Sequence, residues 1–335
     1  MNNDTTILAG DLRKPAAIFI HGLGMDRRIW ESPEESRVLG GRFPVRLLVS
    51  GEPEAEAGES GETGEMSRGL FFGEPPKTLT TLFQSLRERA YTVIAWSQRR
   101  PSAEIEIAAS ELRDVTSTHE EYCKSGIILI GHSRGGLVAR KYLSDGAAKV
   151  KAIVTLAAPH RGSRMAQWVE YITPLISLVN PLIPDSEKGT LTYAVKRVFD
   201  FLRSRAVREL LPDSPFFKSL RDVRRKDVYY LSLGGYDPTF FSVYRKVVER
   251  APDGNRKRSF ARVRRVFSFP DILEKVIPER LFPEEMKHRR GDGLVSAESA
   301  SFPLADEHYD FPVNHAGILF DEKAKQRVLD ALSRL

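Results

Sequence analysis

Short apolar runs punctuate the chain at Ala16–Ile20, Tyr91–Trp96, Ile127–Ile130, Val150–Ala157 and Val228–Leu233. The four consecutive β-branched or leucine residues from Ile127 to Ile130 carry no polar alternation, which suits a strand buried on both faces, as in a parallel sheet covered by helices. Between the runs the period turns helical. Leu79, Leu82, Phe83 and Leu86 recur at helical spacing, and Ala103 to Lys124 predicts a helix leading into the Ile127 strand. A further helix follows Ser133. Asp321 to Leu335 predicts a C-terminal helix that packs Val328, Leu329 and Leu332 against the sheet. This pattern predicts one α/β domain over 1–335 with inserted segments, and no internal repeat is evident.

Three stretches break the alternation. Residues 51–67 repeat glycine and glutamate with almost no apolar side chain to bury, which predicts a mobile acidic loop. Residues 164–220 are amphipathic and broken by prolines, with an apolar stripe through Trp168, Val169, Tyr171, Ile172, Leu175 and Ile176. Residues 236–290 form a second insertion with an Arg/Lys-rich centre, Asn255–Arg265, and a helical stretch, Ile272–Ile277.

Candidate chemistry starts where the Ile127 run ends. Gly131 and Gly135 flank Ser133 as G-x-S-x-G between a predicted strand and a predicted helix. Such an elbow strains its backbone and leaves no room for bulky flanking side chains, and the helix N-terminus beneath the serine favours developing negative charge. A serine hydroxyl is a poor nucleophile near neutral pH, so it needs a base, and the base needs an acid to hold its tautomer.

Five segments together resemble the α/β-hydrolase superfamily, most closely the bacterial lipases and lipase-like esterases: His21-Gly22-Leu23-Gly24, Gly131-His132-Ser133-Arg134-Gly135-Gly136, Ala158-Pro159-His160-Arg161-Gly162-Ser163, Gly291-Asp292-Gly293-Leu294-Val295-Ser296 and Asn314-His315-Ala316-Gly317. The resemblance implies an α/β-hydrolase fold, a mostly parallel central sheet flanked by helices with a helical lid or cap at 164–220. It also implies a Ser-His-Asp triad of Ser133, His315 and Asp292. By the same resemblance the backbone N–H groups of Leu23 and Arg134 stabilise the oxyanion, while Met25 and Trp168 line the acyl site. His308 competes with His315 as the base, and Asp237 with Asp292 as the acid, since α/β hydrolases differ in which strand end supplies it. His160 lies too early for the order serine, acid, histidine. The implied activity is hydrolysis of carboxylic esters of acyl chains through an acyl-enzyme, as a lipase or esterase. Thioester or amide hydrolysis on the same triad, and a non-catalytic lipid-binding protein of this fold, are the alternatives. The apolar stripe at 164–220 would cover the serine, although core packing accounts for it equally well.

Composition narrows the rest. A chain of 335 residues with 41% hydrophobic residues can build a substantial core. The single cysteine, Cys123, excludes an internal disulfide and a multi-cysteine metal site, and its expected place is packed on a helix. No metal or other cofactor is implied: extracellular relatives often carry a calcium-binding aspartate two residues past the histidine, and Gly317 stands there. The N-terminus has no basic segment followed by an apolar core, so the expected location is cytoplasmic. The net charge is +6, and from Phe201 to Arg290 alone 22 Lys and Arg face 12 Asp and Glu. That basic segment is read as a solvated surface, with peripheral contact to anionic lipid as the alternative; no nucleic-acid partner is expected.

Overall fold

The computed structural model describes residues 4–38, 41–53, 70–165, 167, 205–250, 259–275 and 277–335. Numbered in chain order, seven of the described strands form the central sheet: β1 (Thr5–Leu8), β2 (Ala16–Ile20), β6 (Val93–Trp96), β7 (Ile127–His132), β8 (Val150–Leu156), β9 (Tyr229–Gly235) and β12 (Glu307–Phe311), while β3 (Arg37–Val38) and β4 (Gly41–Arg42) pair apart from it. Their spatial order is β1-β6-β2-β7-β8-β9-β12. Only β1, which the apolar pattern does not predict, runs antiparallel to its neighbour; the other pairings are parallel.

Successive strand residues point to opposite faces, and both faces are buried. Ile127 and Leu129 of β7 join one apolar cluster with the helices Ile105–Thr118 and Arg134–Ser144. Ile128 and Ile130 join the other, with the helices Leu82–Glu88 and Glu322–Leu332. Each fully buried leucine or isoleucine contributes about 1.5–3 kcal/mol, which explains why unbroken runs mark the five inner strands, while the edge strands β1 and β12 carry none. The helix starts have equally local causes. Thr81 and Gln84 form a capping box ahead of Leu82, and Asp321 accepts the N–H of Ala324.

The helix at Ile105 has no cap of its own. Its first N–H is accepted by the carboxylate of Glu209 at 3.0 Å, from the segment that follows the 168–204 stretch. The predicted helix to Lys124 stops at Thr118, and a 3-10 turn, Glu120–Tyr122, leads to the buried Cys123. Burial pushes the Cys123 thiol up to about 11, leaving it a packing residue.

The second insertion departs from its expected form. Its core is a hairpin of two long strands, β10 (Phe241–Arg250) and β11 (Ser259–Phe269), and β10 also pairs with β5 (Leu70–Phe72). Met165, Phe241, Val243, Phe269, Leu273, Phe282 and Met286 form the core beneath this three-stranded sheet. The helical turn expected at Ile272–Ile277 covers Asp271–Glu274. Of the acidic stretch and the amphipathic segment, residues 54–67, 166 and 168–204 lie outside the described residues. The return of the latter forms short helices at Arg205–Arg208 and Pro215–Ser219. Among the described residues no helix is long and apolar enough to cross a membrane.

Candidate active site

Ser133 sits between β7 and the helix Arg134–Ser144, with φ 54° and ψ −128°. For a non-glycine residue this conformation costs about 1–3 kcal/mol and persists only where its surroundings impose it. They do. The Ser133 N–H donates to the carbonyl of Leu156 at 2.8 Å. A Cβ on Gly131 would stand 2.5 Å from the carbonyl oxygen of Gly135, and one on Gly135 would stand 2.7 Å from that of His21. Both flanking glycines are therefore demanded by backbone contact.

Asp292 is fully buried in the turn between Gly291 and Gly293. Its Oδ1 receives the N–H groups of Leu294 at 2.9 Å and Val295 at 2.7 Å, and its Oδ2 faces Nδ1 of His315 at 2.9 Å. The backbone N–H of His315 also donates to the Asp292 carbonyl at 2.9 Å. Asn314 locks the histidine loop: its Oδ1 accepts from Ala316 and Gly317, and its Nδ2 donates to the carbonyls of Leu48 and Thr239. The rival residues stand elsewhere. Asp237 accepts the N–H of Thr239 at 3.0 Å and lies 3.6 Å from His288. His308 is bonded to Ser232 and Asp310, and His160 is buried against Thr155, stacked on Phe302.

Ser133 and His315 line one cavity of about 110 Å³ together with Gly22, Leu23 and Met25 from the loop after β2. Met165, Val207, Leu210, Leu294 and Val295 supply much of its apolar wall. The structure thus brings together Ser133, His315, Leu23 and Met25, with Asp292 behind the imidazole and Arg134 beginning the helix beneath the serine. Trp168 lies outside the described residues.

Sequence reasoning missed several supports of this site. His132 donates from Nε2 to the carbonyl of His315 at 2.9 Å, its ring 4.9 Å from that of His315. Burial and the neighbouring His315 push its pKa down to about 3, so it stays neutral. Arg134, expected to act through its backbone alone, is fully buried: Nη1 donates to Oε1 of Gln98 at 2.9 Å and Nη2 to the carbonyl of Ala103. Burial pushes its pKa down to about 10, against the pull of Glu209 and Glu111. Only Val207 and Leu210 carried a signal, as apolar residues at helical spacing within the amphipathic segment. Among the described residues no three His, Cys, Asp or Glu side chains gather as metal ligands.

A sequence model of an alpha/beta hydrolase family matches residues 17–278, most of the chain. The chain belongs to the alpha/beta hydrolase family. The structure of this hydrolase is similar to that of the mature lipase BlEst2 from Bacillus licheniformis, with 16% identity, 99% of each chain covered and a TM-score of 0.53. The propeptide form of that lipase gives 15% identity and a TM-score of 0.52, covering 99% of this chain and 54% of the other. At such identities the likeness concerns the fold. No curated protein matches the sequence.

Proposed function

We propose that this alpha/beta hydrolase is a serine esterase or lipase that cleaves carboxylic esters of acyl chains through an acyl-enzyme. The carrying observation is the Asp292 carboxylate, buried and saturated by two backbone N–H groups on one oxygen, with the other committed to Nδ1 of His315. An acid so held keeps the hydrogen on Nδ1 and leaves Nε2 as the base at the cavity that Ser133 lines.

In this reading Ser133 Oγ attacks the ester carbonyl and Nε2 of His315 takes its proton. The carbonyl oxygen becomes the oxyanion, received by the N–H groups of Leu23 and Arg134; losing one such donor costs roughly 2.7–4 kcal/mol. The imidazolium returns the proton to the departing alcohol, and water repeats the sequence on the acyl-Ser133 ester, releasing the acid. The apolar side chains around the cavity support an acyl chain as the part recognised, in keeping with a fold shared with a protein described as a lipase.

The test is Ser133→Ala assayed on p-nitrophenyl esters of increasing chain length, with a fluorophosphonate probe on the wild type. The expected outcome is labelling of the wild type at Ser133 and loss of turnover in the variant, with stability within about 1 kcal/mol of wild type since strain at this turn is shared by both side chains. Undiminished turnover by Ser133→Ala would remove this reading.

A further inference from the structure

The imidazole of His21 has no part in the triad, yet it is nearly fully buried at the end of β2 with both nitrogens engaged. Nε2 meets the backbone N–H of Gln98 at 3.0 Å, and Nδ1 meets the carbonyl of Gly22 at 2.8 Å. An amide N–H only donates, so Nε2 accepts and Nδ1 carries the hydrogen that the Gly22 carbonyl receives. The same carbonyl receives the N–H of Met25 at 3.3 Å.

A trans peptide is planar, so the carbonyl of Gly22 and the N–H of Leu23 share one plane and point in opposite directions. Pinning the carbonyl on the buried side presents that N–H on the other side. Gly22, Leu23 and Ser133 line one cavity, and a Cβ on Gly22 would stand 3.3 Å from Cβ of Ser133. The imidazole is clamped in turn: Gln98 donates from Nε2 to the His21 carbonyl at 3.4 Å and accepts Nη1 of Arg134 at 2.9 Å. Arg134, Gln98 and His21 thus connect the two peptide groups that supply the anion-stabilising donors. Burial lowers the His21 pKa to about 4, which keeps the ring neutral at ordinary assay pH.

We propose that His21 is a positioning residue, turning the Gly22–Leu23 peptide so that its N–H meets the oxyanion, with Gln98 and Arg134 holding the ring in place. The inference rests on the serine-hydrolase reading. It separates two variants that a merely structural role would not. His21→Asn keeps an amide N–H near the place of Nδ1 and loses the acceptor for Gln98, whereas His21→Leu keeps bulk and donates nothing. Both are expected to lower the thermal midpoint. Only His21→Leu is expected to lose kcat, by about 10²–10³-fold, the loss typical of one missing oxyanion donor, with KM within about twofold because the donor acts in the transition state.

Should His21→Leu not fold, His21→Gln replaces it: the longer amide reaches the Nε2 position, abandons Gly22, and is expected to show the same kcat loss. Equal kcat in the donating and non-donating variants, or a change confined to KM, overturns the positioning role. The two readings fail apart. A Ser133→Ala enzyme that still turns over removes the site and this inference with it. A dead Ser133→Ala beside a fully active His21→Leu removes the positioning role alone.

Discussion

Replacing Asp292 by asparagine is a sharp perturbation of the site, because the surrounding backbone dictates which way the new amide faces. Oδ1 receives two N–H groups at 2.9 and 2.7 Å, and Oδ2 faces Nδ1 of His315 at 2.9 Å. An NH2 group in the Oδ1 position would leave two buried N–H groups without acceptors, at about 1–3 kcal/mol each. Together, about 2–6 kcal/mol favours the carbonyl there, a preference of tenfold for each ~1.4 kcal/mol. The NH2 then faces Nδ1, the imidazole hydrogen moves to Nε2, and the nitrogen proposed to accept the Ser133 proton is occupied. Turnover is expected to fall by as much as about 10⁴-fold, the scale of loss when a triad carboxylate becomes an amide. Folding stability is expected to fall only about 1–2 kcal/mol, since the two bonds to Oδ1 survive with a neutral acceptor. The assay is kcat on a saturating p-nitrophenyl ester beside Asp237→Asn, with circular dichroism and thermal midpoints on both. Normal turnover by Asp292→Asn together with a crippled Asp237→Asn would refute the assignment and move the acid to the end of β9.

Acid should destabilise the protein in a defined window. Burial lowers the pKa of His21 to about 4 and of His132 to about 3, so below about 6.5 the unfolded chain takes up protons that the folded chain refuses. Stability is full above that pH and is lost as pH falls toward 4 and then 3, by about 3 kcal/mol for His21 alone, at 1.36 kcal/mol per unit. Glu209 and Glu285, whose pKa burial raises, act in the opposite direction and blunt the loss. A urea midpoint that stays flat from pH 6.5 to 4 would contradict this. If the amphipathic segment covers the serine in water, the rate on long-chain esters should climb once micelles form; a rate that follows dissolved monomer alone indicates a fixed cap.

The inner strands were legible because burial on both faces leaves an unbroken apolar run, as in Ile127–Ile130. The β10–β11 hairpin was not, for the opposite reason. Arg245, Lys246, Arg262, Arg264 and Arg265 interrupt its strands, so charge hides the alternation that Phe241, Val243, Phe267 and Phe269 carry. Its third strand is Leu70–Phe72, distant in sequence, and no local pattern encodes that pairing. The site divides similarly. Ser133, Asp292 and His315 stand in turns whose glycines or asparagine are required by backbone geometry, and such turns leave a mark in sequence. His132 and Gln98 act through contacts that only the folded chain assembles. Arg134 was read for its position beside the nucleophile, which says nothing of where a long side chain ends.

The bond from Ile105 to Glu209 sets a rule for exchanging the 164–220 segment between relatives. The helix Ile105–Thr118 has Glu104 at its N-terminus, whose side chain caps nothing, so its start is finished by a carboxylate from Glu209, which follows the 168–204 stretch in sequence. A graft that replaces the inserted segment together with residue 209 therefore removes a piece of the scaffold, and the helix beside Ala103, where the Arg134 guanidinium is anchored, loses its first turn's acceptor. Chimeras joined before Arg205 keep that piece with the recipient. Those joined after Glu209 must import an acidic side chain at the same station, whatever the transplanted segment was chosen for.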